Sequence, residues 1–463
     1  MRSATALWLP AVFLIATGCR TYQPAPLDLA AYDGTWRGRD VTAAPVTEYA
    51  RQLAHSAAPK ERFDPSDGLT AREGEVVALL FNPRLRVARA KARVSAVGAA
   101  EAGRWEDPEL SIDAERIIES VQSPWVLGGM LSLTLPLSGR LEAERAKASA
   151  GARAQLAGVL VEESAVVAEL YERWLELTIL DQRIALSRQY LSDLGGVVDT
   201  AERLRARGEL DPVDAKLFRV EQVRRRAELR GFELERPAIE AAVRAVMGLT
   251  PTADVRLVQS LSTVADASDA AAARQRVADG HPKILQARAE YETAERTLAL
   301  EIRKQFPDLK VGGGYGIDEG THRMLGGLSI PIPLFSANRK AIAEARATRD
   351  AARAAAEAAH EEVLNGLARA EISLGAARER RRLFETELVP LVDEQLRDVR
   401  QLGRIGDANT VVLLESLTRA FEAKVELLEA VEKEAKAANQ VNAALRPVTR
   451  AQPAVTQPGA SHP

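Results

Sequence analysis

Apolar and polar residues alternate strictly in four short segments of the chain. The segments cover residues 110–114, 131–137, 309–317 and 328–334. Alternation with a period of two predicts a strand with one apolar face and one polar face. Because the segments come in two adjacent pairs, we expect two β-hairpins, over residues 108–137 and 307–334.

A long helical pattern follows each predicted hairpin. Residues 139–207 contain no proline and few glycines, which predicts a helix on the order of 100 Å long at ~1.5 Å per residue. A matching stretch covers residues 337–403. Each is followed by a turn signal and a shorter returning helix, with the turns at 208–212 and 403–407. Pro237 and Pro390 fall inside helical patterns, where we expect them to break or kink the helix.

The hairpins and helices belong to two copies of one unit. Three pairs of residues are separated by the same 199 positions: Pro83 and Pro282, Pro108 and Pro307, Arg140 and Arg339. A chance likeness between two alanine- and arginine-rich helices would not keep these prolines in register. We therefore divide the chain into a first repeat over residues 68–250, a linker over 251–271 and a second repeat over 272–446.

The N-terminus has the features of a secretory signal that ends at a cysteine. Arg2 precedes an apolar run too short to span a bilayer, and small residues lead to Cys19, the only cysteine of the chain. The segment resembles a bacterial lipobox, although Ala16 stands where leucine is usual. Arg20 follows in place of the aspartate that commonly retains a lipoprotein in the inner membrane. We expect a signal peptide over residues 1–18 and a lipid on Cys19; a general signal peptide with an incidental cysteine is the alternative.

Two further segments flank the repeats. Residues 19–67 are expected to form an extended, lipid-anchored N-terminal arm. The tail over residues 447–463 is rich in Pro, Ala, Gln and Ser, a composition typical of disorder.

Four strands in two hairpins are too few to close a barrel with room inside. A small sheet packed on a helix in an ordinary α+β protein is one alternative, but the neighbouring helices are too long for so small a sheet. Strands of a membrane barrel are roughly 9–11 residues long, apolar outside and polar inside, and even in number. Three chains with four strands each satisfy this requirement.

Composition excludes several classes of function. The net charge of −3 gives no sign of a nucleic-acid partner, and the arginine clusters at 224–226 and 380–382 lie among glutamates, as on solvated helix faces. The five histidines are scattered, so no metal cluster is predicted. The three glycines at 312–314 lack the setting of a nucleotide-binding loop. We predict no enzyme activity and no cofactor.

The doubled plan, with its hairpins, long helices and glycine turns, resembles the TolC-like outer membrane factors, the outer membrane efflux protein family. The resemblance is carried by GGLSIPIPLFSANRKAIAEARA in the second repeat and, more weakly, by SLTLPLSGRLEAERAKA in the first. The second run is most similar to the heavy-metal cation-efflux branch. The family implies a mainly α fold with a small membrane β-barrel. Three chains would form one twelve-stranded barrel that continues into a long α-helical barrel.

The resemblance also implies location and partners. The protein is expected in the cell outer membrane, lipid-anchored and extending into the periplasm. It would be a passive conduit for metal cations or small toxic compounds, served by a periplasmic adaptor and an inner-membrane pump of the RND type.

The helical turns would lie at the periplasmic tip, where this family closes its channel. Asp214 follows the first turn and is the candidate for the carboxylate that latches the closed tip. In the second repeat, Val412 stands where one acid of the family's selectivity ring is often found, and Glu415 occupies the next acidic position. Three Glu415 carboxylates around an axis would favour cations. The alternative is a surface ion pair with Arg419 at i+4.

Five turn residues are candidates for contacts with the adaptor, with plain turn chemistry as the alternative. They are Gly208, Leu210, Asp211, Gly406 and Asp407. Arg140 and Arg339, just past each hairpin, either line the bore or simply start the long helices.

Three other classes of protein compete with the channel. A periplasmic adaptor lipoprotein would carry one helical hairpin between β-rich domains, whereas this chain has two copies and little β-structure. A coiled-coil scaffold leaves the four alternating strands unexplained. The exit duct of a type I protein-secretion system has the same expected fold and is not separated by the sequence.

Overall fold

The structure is a computed structural model that describes residues 22–56, 63–118, 124–261, 270–318, 320–405 and 410–445. The predicted signal peptide, Cys19 and the predicted tail lie outside these residues. The chain divides into two units, residues 1–40 and 41–463. Within the first, helix α1 (Leu29–Arg37) begins at Asp28, whose carboxylate accepts a hydrogen bond from the N–H of Ala31 at 2.9 Å.

The second unit contains ten helices and four strands among its described residues. In chain order they are α2 (Ala44–Ser56), α3 (Ala71–Phe81), α4 (Pro83–Glu101), β1 (Glu109–Arg116), β2 (Trp125–Leu135), α5 (Arg140–Ala206), α6 (Pro212–Val246), α7 (Ala270–Gly280), α8 (Pro282–Arg303), β3 (Leu309–Asp318), β4 (Thr321–Ser329), α9 (Arg339–Leu383), α10 (Val389–Ile405) and α11 (Thr410–Leu445). A π-helical turn, Phe384–Leu388, joins α9 to α10. The predicted class, mainly α with four strands per chain, is confirmed.

Helices of the two repeats begin 199 residues apart. Helices α3 and α7, α4 and α8, and α5 and α9 are the pairs. The two long helices start after residues in the left-handed region, Gly139 at φ 71° and Asn338 at φ 56°. The same entry geometry is therefore used twice, once by glycine and once by asparagine, the residue types that tolerate it best.

The strands form one antiparallel sheet in the order β1-β2-β3-β4. The β2–β3 pairing joins the two repeats, with Leu131 opposite Gly313. The fourth strand was predicted too far along the chain, at 328–334, because β4 is Thr321–Ser329 and shares only residues 328 and 329 with the prediction. Pro331 and Pro333 have no N–H to donate to a ladder, which explains the early end.

The two helix-interior prolines behave differently. Of the break or kink predicted at Pro237, the break does not occur, since α6 continues through it to Val246. Pro237 is exposed, and Ile239 and Val243 just beyond it are buried in the core, which holds the helix in place. Before Pro390 the hydrogen-bond pattern does change, because the N–H of Val389 donates to the carbonyl of Phe384, five residues back.

The expected extended arm is also wrong in its described part. Residues 44–56 are helix α2, and the buried side chains of Val46 and Tyr49 join a core cluster with Trp174 of α5. The Trp174 indole N–H donates to the carbonyl of Val258 at 2.9 Å. A Cβ at Gly74 would lie 2.7 Å from the Trp174 ring, so this close packing requires glycine there. None of the described helices is both long enough and apolar enough to cross a membrane.

Candidate membrane sheet and helical tip

One face of the sheet is apolar across all four strands. This apolar face consists of Leu110, Ile112, Ala114, Leu127, Leu131, Leu133, Val311, Tyr315, Ile317, Met324 and Leu328. The register places Leu110 beside Leu131 and Val311 beside Leu328. Most of these side chains are exposed, from 39% for Val311 to 91% for Met324, and Leu133 and Ile317 are half-buried. A continuous exposed apolar surface of this kind marks contact with lipid or another protein.

The opposite face of the sheet carries most of its charged side chains, together with three apolar ones, Val126, Met130 and Leu325. Lys310 of β3 forms an ion pair with Glu109 of β1 at 2.5 Å, and Arg323 of β4 pairs with Asp318 of β3 at 2.8 Å. Glycines, such as Gly312, occupy many of the other positions of β3 and β4 on this face. A sheet with one apolar and one charged face suits a wall between lipid and water.

Aromatic residues lie at both ends of the apolar face. At the hairpin end the Arg116 guanidinium lies 5.7 Å from the Trp125 ring, and the Tyr315 hydroxyl is hydrogen-bonded to His322. At the helix end three aromatic side chains are exposed: Trp105, Phe306 and Phe335. In a barrel whose strands tilt by ~40°, about ten residues at ~3.4 Å each would give an apolar band about 25 Å tall. Membrane barrels have an apolar band of this height between aromatic girdles.

Both edges of the sheet are open, and so are the edges of the helical layer beneath it. Within the described residues, β1 and β4 each pair on one side only. At the end of the long helices next to the sheet, the helices pack in the order α4-α5-α8-α9. Toward the turns at 208–212 and 403–407, the order is α6-α5-α11-α10. Strands and helices thus form one layer, four elements wide, whose two edges differ. Two unlike edges suit a head-to-tail contact, the type that closes rings.

Arg140 joins the sheet to the helices. Its guanidinium contacts Glu106 at 3.0 Å, Asp308 at 3.1 Å and Glu144 at 3.2 Å, so it bridges residues that precede β1 and β3. Its side chain is 20% exposed. Arg140 therefore ties the two repeats together at the root of the sheet. Arg339, at the equivalent position, is exposed.

The first turn is built by ordinary turn and capping chemistry. Gly208 has φ +74°, a conformation that glycine adopts without strain. The Asp211 carboxylate caps α6 by accepting from the N–H of Val213 at 2.6 Å, and Leu210 packs against the cluster around Phe218. Asp214 lies half-buried in the first turn of α6, where the helix dipole favours an anion. Gly406 and Asp407 of the second turn lie outside the described residues.

Glu415 forms the ion pair that the alternative interpretation anticipates. Its carboxylate lies 2.6 Å from the Arg419 guanidinium one turn along α11, and both side chains are 57% exposed. The Arg419 charge is therefore available to offset that of Glu415.

One half-buried arginine near the tip was missed. We interpreted residues 224–226 as a solvated face, yet Arg225 is only 12% exposed. Its guanidinium lies 5.5 Å from the Tyr190 ring and 5.0 Å from the Phe421 ring, so it joins α6 to both α5 and α11. Burial raises the pKa of the Tyr190 hydroxyl, which is hydrogen-bonded to Thr418 at 3.0 Å. The signal was present in the sequence, because Arg225 follows the core residue Phe218 by seven positions.

No group of three or more His, Cys, Asp or Glu able to hold a metal ion occurs within the described ranges.

Known proteins share both the sequence of the second repeat and the fold. Residues 273–445 match the outer membrane efflux protein family. The cobalt-zinc-cadmium resistance protein CzcC of Cupriavidus metallidurans is 23% identical over 285 residues, which cover 60% of this chain and 66% of that protein, just under two thirds of its length.

Two solved structures extend the likeness to the whole architecture. The outer membrane protein VceC of Vibrio cholerae matches with a TM-score of 0.70 and 18% identity over 81% of this chain and 96% of that one. The outer-membrane channel OprN matches with a TM-score of 0.71 and 17% identity over 85% and 95%. The chain therefore has the fold of the TolC-like outer-membrane channels. The resemblance to the outer membrane efflux protein family, over residues 273–445, and to a heavy-metal resistance protein is confirmed.

Proposed function

We propose that this protein is the outer-membrane channel subunit of a tripartite efflux system. The observation that carries the proposal is the two-faced sheet. Its apolar face carries exposed aromatic side chains toward both ends, and strands of 8–11 residues suit the apolar band of a membrane barrel, about 25 Å tall. The polar face, with the Glu109–Lys310 pair, would face water in the bore.

Three copies would close the channel. Joining β4 of one copy to β1 of the next pairs every open edge, and twelve strands make a barrel wide enough for a water-filled lumen. The helical layer, open at the same two edges, would close in the same way into a periplasmic barrel. The trimer is thus the smallest ring of this layer that leaves a usable bore.

The proposal extends to anchor, partners and cargo. Lipidation of Cys19 would tether the chain to the outer membrane. A periplasmic adaptor and an inner-membrane pump, of the RND type, would deliver the cargo, and the named role of CzcC in cobalt, zinc and cadmium resistance favours divalent metal cations.

The tip residues are proposed to act at the periplasmic end. Asp214 would latch the closed state, and Glu415 would contribute a cation-favouring charge that its contact with Arg419 weakens. The proposed adaptor contacts are Gly208, Leu210, Asp211, Gly406 and Asp407.

Purified full-length protein in detergent tests the channel directly. We expect a particle of three chains by light scattering, and stepwise ion currents when it is added to a planar bilayer. A monomer without membrane association would refute the channel. For the cargo, a strain lacking the gene should become sensitive to cobalt, zinc or cadmium and recover with the intact gene. Loss of a secreted protein without metal sensitivity would favour a type I secretion duct instead.

A further inference from the structure

The charged residues of the four strands are sorted by face. The strand register places every aspartate and glutamate of the strands on the polar face: Glu109, Asp113, Glu115 and Asp318. The apolar face carries two basic residues and no acid. These are Arg116, opposite Trp125, and His322, opposite Ile317. Because neighbouring side chains of a strand point to opposite faces, the pairing itself fixes this sorting.

Both basic residues lie at the hairpin end of the apolar face. Arg116 is the last residue of β1, and His322 is the second residue of β4. At the other end, next to the helices, the outermost strand positions of this face are all leucine: Leu110, Leu135, Leu309 and Leu328. The apolar face therefore carries basic side chains at one end only.

Each basic side chain is held by an aromatic neighbour. The Arg116 guanidinium lies 5.7 Å from the centre of the Trp125 ring. The His322 ring is stacked on Tyr315 with 5.7 Å between the ring centres, and its Nδ1 is hydrogen-bonded to the Tyr315 hydroxyl. Aromatic rings of this kind are typical of the boundary between lipid tails and headgroups, where one end is apolar and the other is wet.

Arg116 has donors available for an anion. Its side chain is exposed, and it forms no ion pair with the residues that the structure describes. Its neighbour Glu115 lies on the polar face, opposite Val126. A guanidinium binds phosphate through two parallel N–H donors, and a histidine ring whose Nδ1 is engaged still has Nε2 for a second partner.

We propose that the hairpin end of the apolar face binds the phosphate groups of lipid A, the phosphorylated glycolipid of the outer leaflet of a bacterial outer membrane. Arg116 and His322 would bind the phosphates, and Leu127 and Met324 would contact the acyl chains. The inference rests on the proposed function, because helices in the periplasm put the hairpin end of the sheet at the outer surface. The acids of the strands do not repel this ligand, since they face the bore.

Titration of the purified full-length protein with phosphorylated lipid A tests the site. Native mass spectrometry in an uncharged detergent counts the lipids bound to each assembly, and we expect binding that saturates at three lipids per trimer. Arg116→Gln should weaken binding by roughly 10- to 100-fold, as for loss of hydrogen bonds to a charged group. His322→Ala should weaken it by roughly 2- to 10-fold, because one neutral donor is lost.

Arg323→Gln is the matched control. Arg323 follows His322 directly in β4 but lies on the polar face, where it pairs with Asp318 at 2.8 Å. This variant should bind lipid A like the wild-type protein. A second control uses lipid A from which the phosphates have been removed. It should bind weakly and equally to all variants, because only the contact with the acyl chains remains.

The outcomes separate this site from the channel itself. A trimer that conducts ions, but in which neither Arg116→Gln nor His322→Ala weakens binding of lipid A, would overturn the site and leave the channel intact. A larger loss in Arg323→Gln than in Arg116→Gln would do the same. Phosphatidylglycerol that binds as tightly as lipid A would overturn the choice of the outer-leaflet lipid. A monomer without membrane association would overturn the proposed function.

Discussion

Leu131 gives the most direct test of the apolar face. It lies within β2, between Leu110 on one side and Gly313 on the other. Six residues separate it from Trp125 at the hairpin end, or about 15 Å of depth for a strand tilted by ~40°. That depth is close to the middle of an apolar band about 25 Å tall. An arginine at the bilayer midplane of a membrane barrel costs about 2–4 kcal/mol.

Leu131→Arg should therefore weaken folding into the membrane by roughly 30- to 700-fold per chain. The measurement is urea-dependent folding into lipid vesicles, followed by tryptophan fluorescence. Ser132→Arg is the matched control, because the next residue points to the polar face, near Glu109. It should fold like the wild-type protein. If the two variants fold equally well, or if Ser132→Arg is the more damaging, the assignment of the two faces is wrong.

Three further predictions concern the tip, a helix cap and the anchor. In single-channel recordings, Glu415→Gln should lower the preference for cations and Arg419→Ala should raise it. The reason is that the Arg419 guanidinium partly cancels the charge of the Glu415 carboxylate. Unchanged selectivity in both variants would show that Glu415 does not line the bore. Burial, aided by a neighbouring lysine, lowers the pKa of His281, which caps α8 by accepting an N–H at 3.2 Å. Its contribution to stability is thus full above the unfolded value of about 6.5 and is lost as the pH falls through the folded value. His281→Asn, the residue found at the equivalent cap Asn82, should flatten the dependence of the melting temperature on pH over that window, and a curve that stays parallel to wild type would contradict this. Cys19→Ser should abolish labelling with radioactive palmitate, whereas persistent labelling would place the lipid elsewhere.

Local patterns predicted the elements of this fold well. Alternation in 110–114 and 309–317 predicted strands, because neighbouring side chains of a strand point to opposite faces. The start of α5 at Arg140 and of α9 at Arg339 follows from the same duplicated turn. The errors arose where tertiary packing overrides the preference of the local sequence. Pro237 lies in an unbroken helix because the residues beyond it are anchored in the core.

Site chemistry was harder to predict than the elements. The sequence presented Glu415 with two interpretations, and only the coordinates place the Arg419 guanidinium against it. Three successive arginines at 224–226 have the same local environment in sequence. Arg225 is half-buried and the other two are exposed, because Tyr190 and Phe421 from distant helices cover Arg225.

The sequence by itself determined that this protein has two copies of a hairpin joined to long helices, and which face of the first three strands is apolar. Those properties depend on the period of side chains along one segment, which is set by covalent geometry. Only the tertiary structure decided that β2 pairs with β3, that Arg140 bridges the two repeats, and that α6 and α10 form the open edges of one layer. These features depend on segments that are far apart in the chain, and their contacts exist only once the segments have packed.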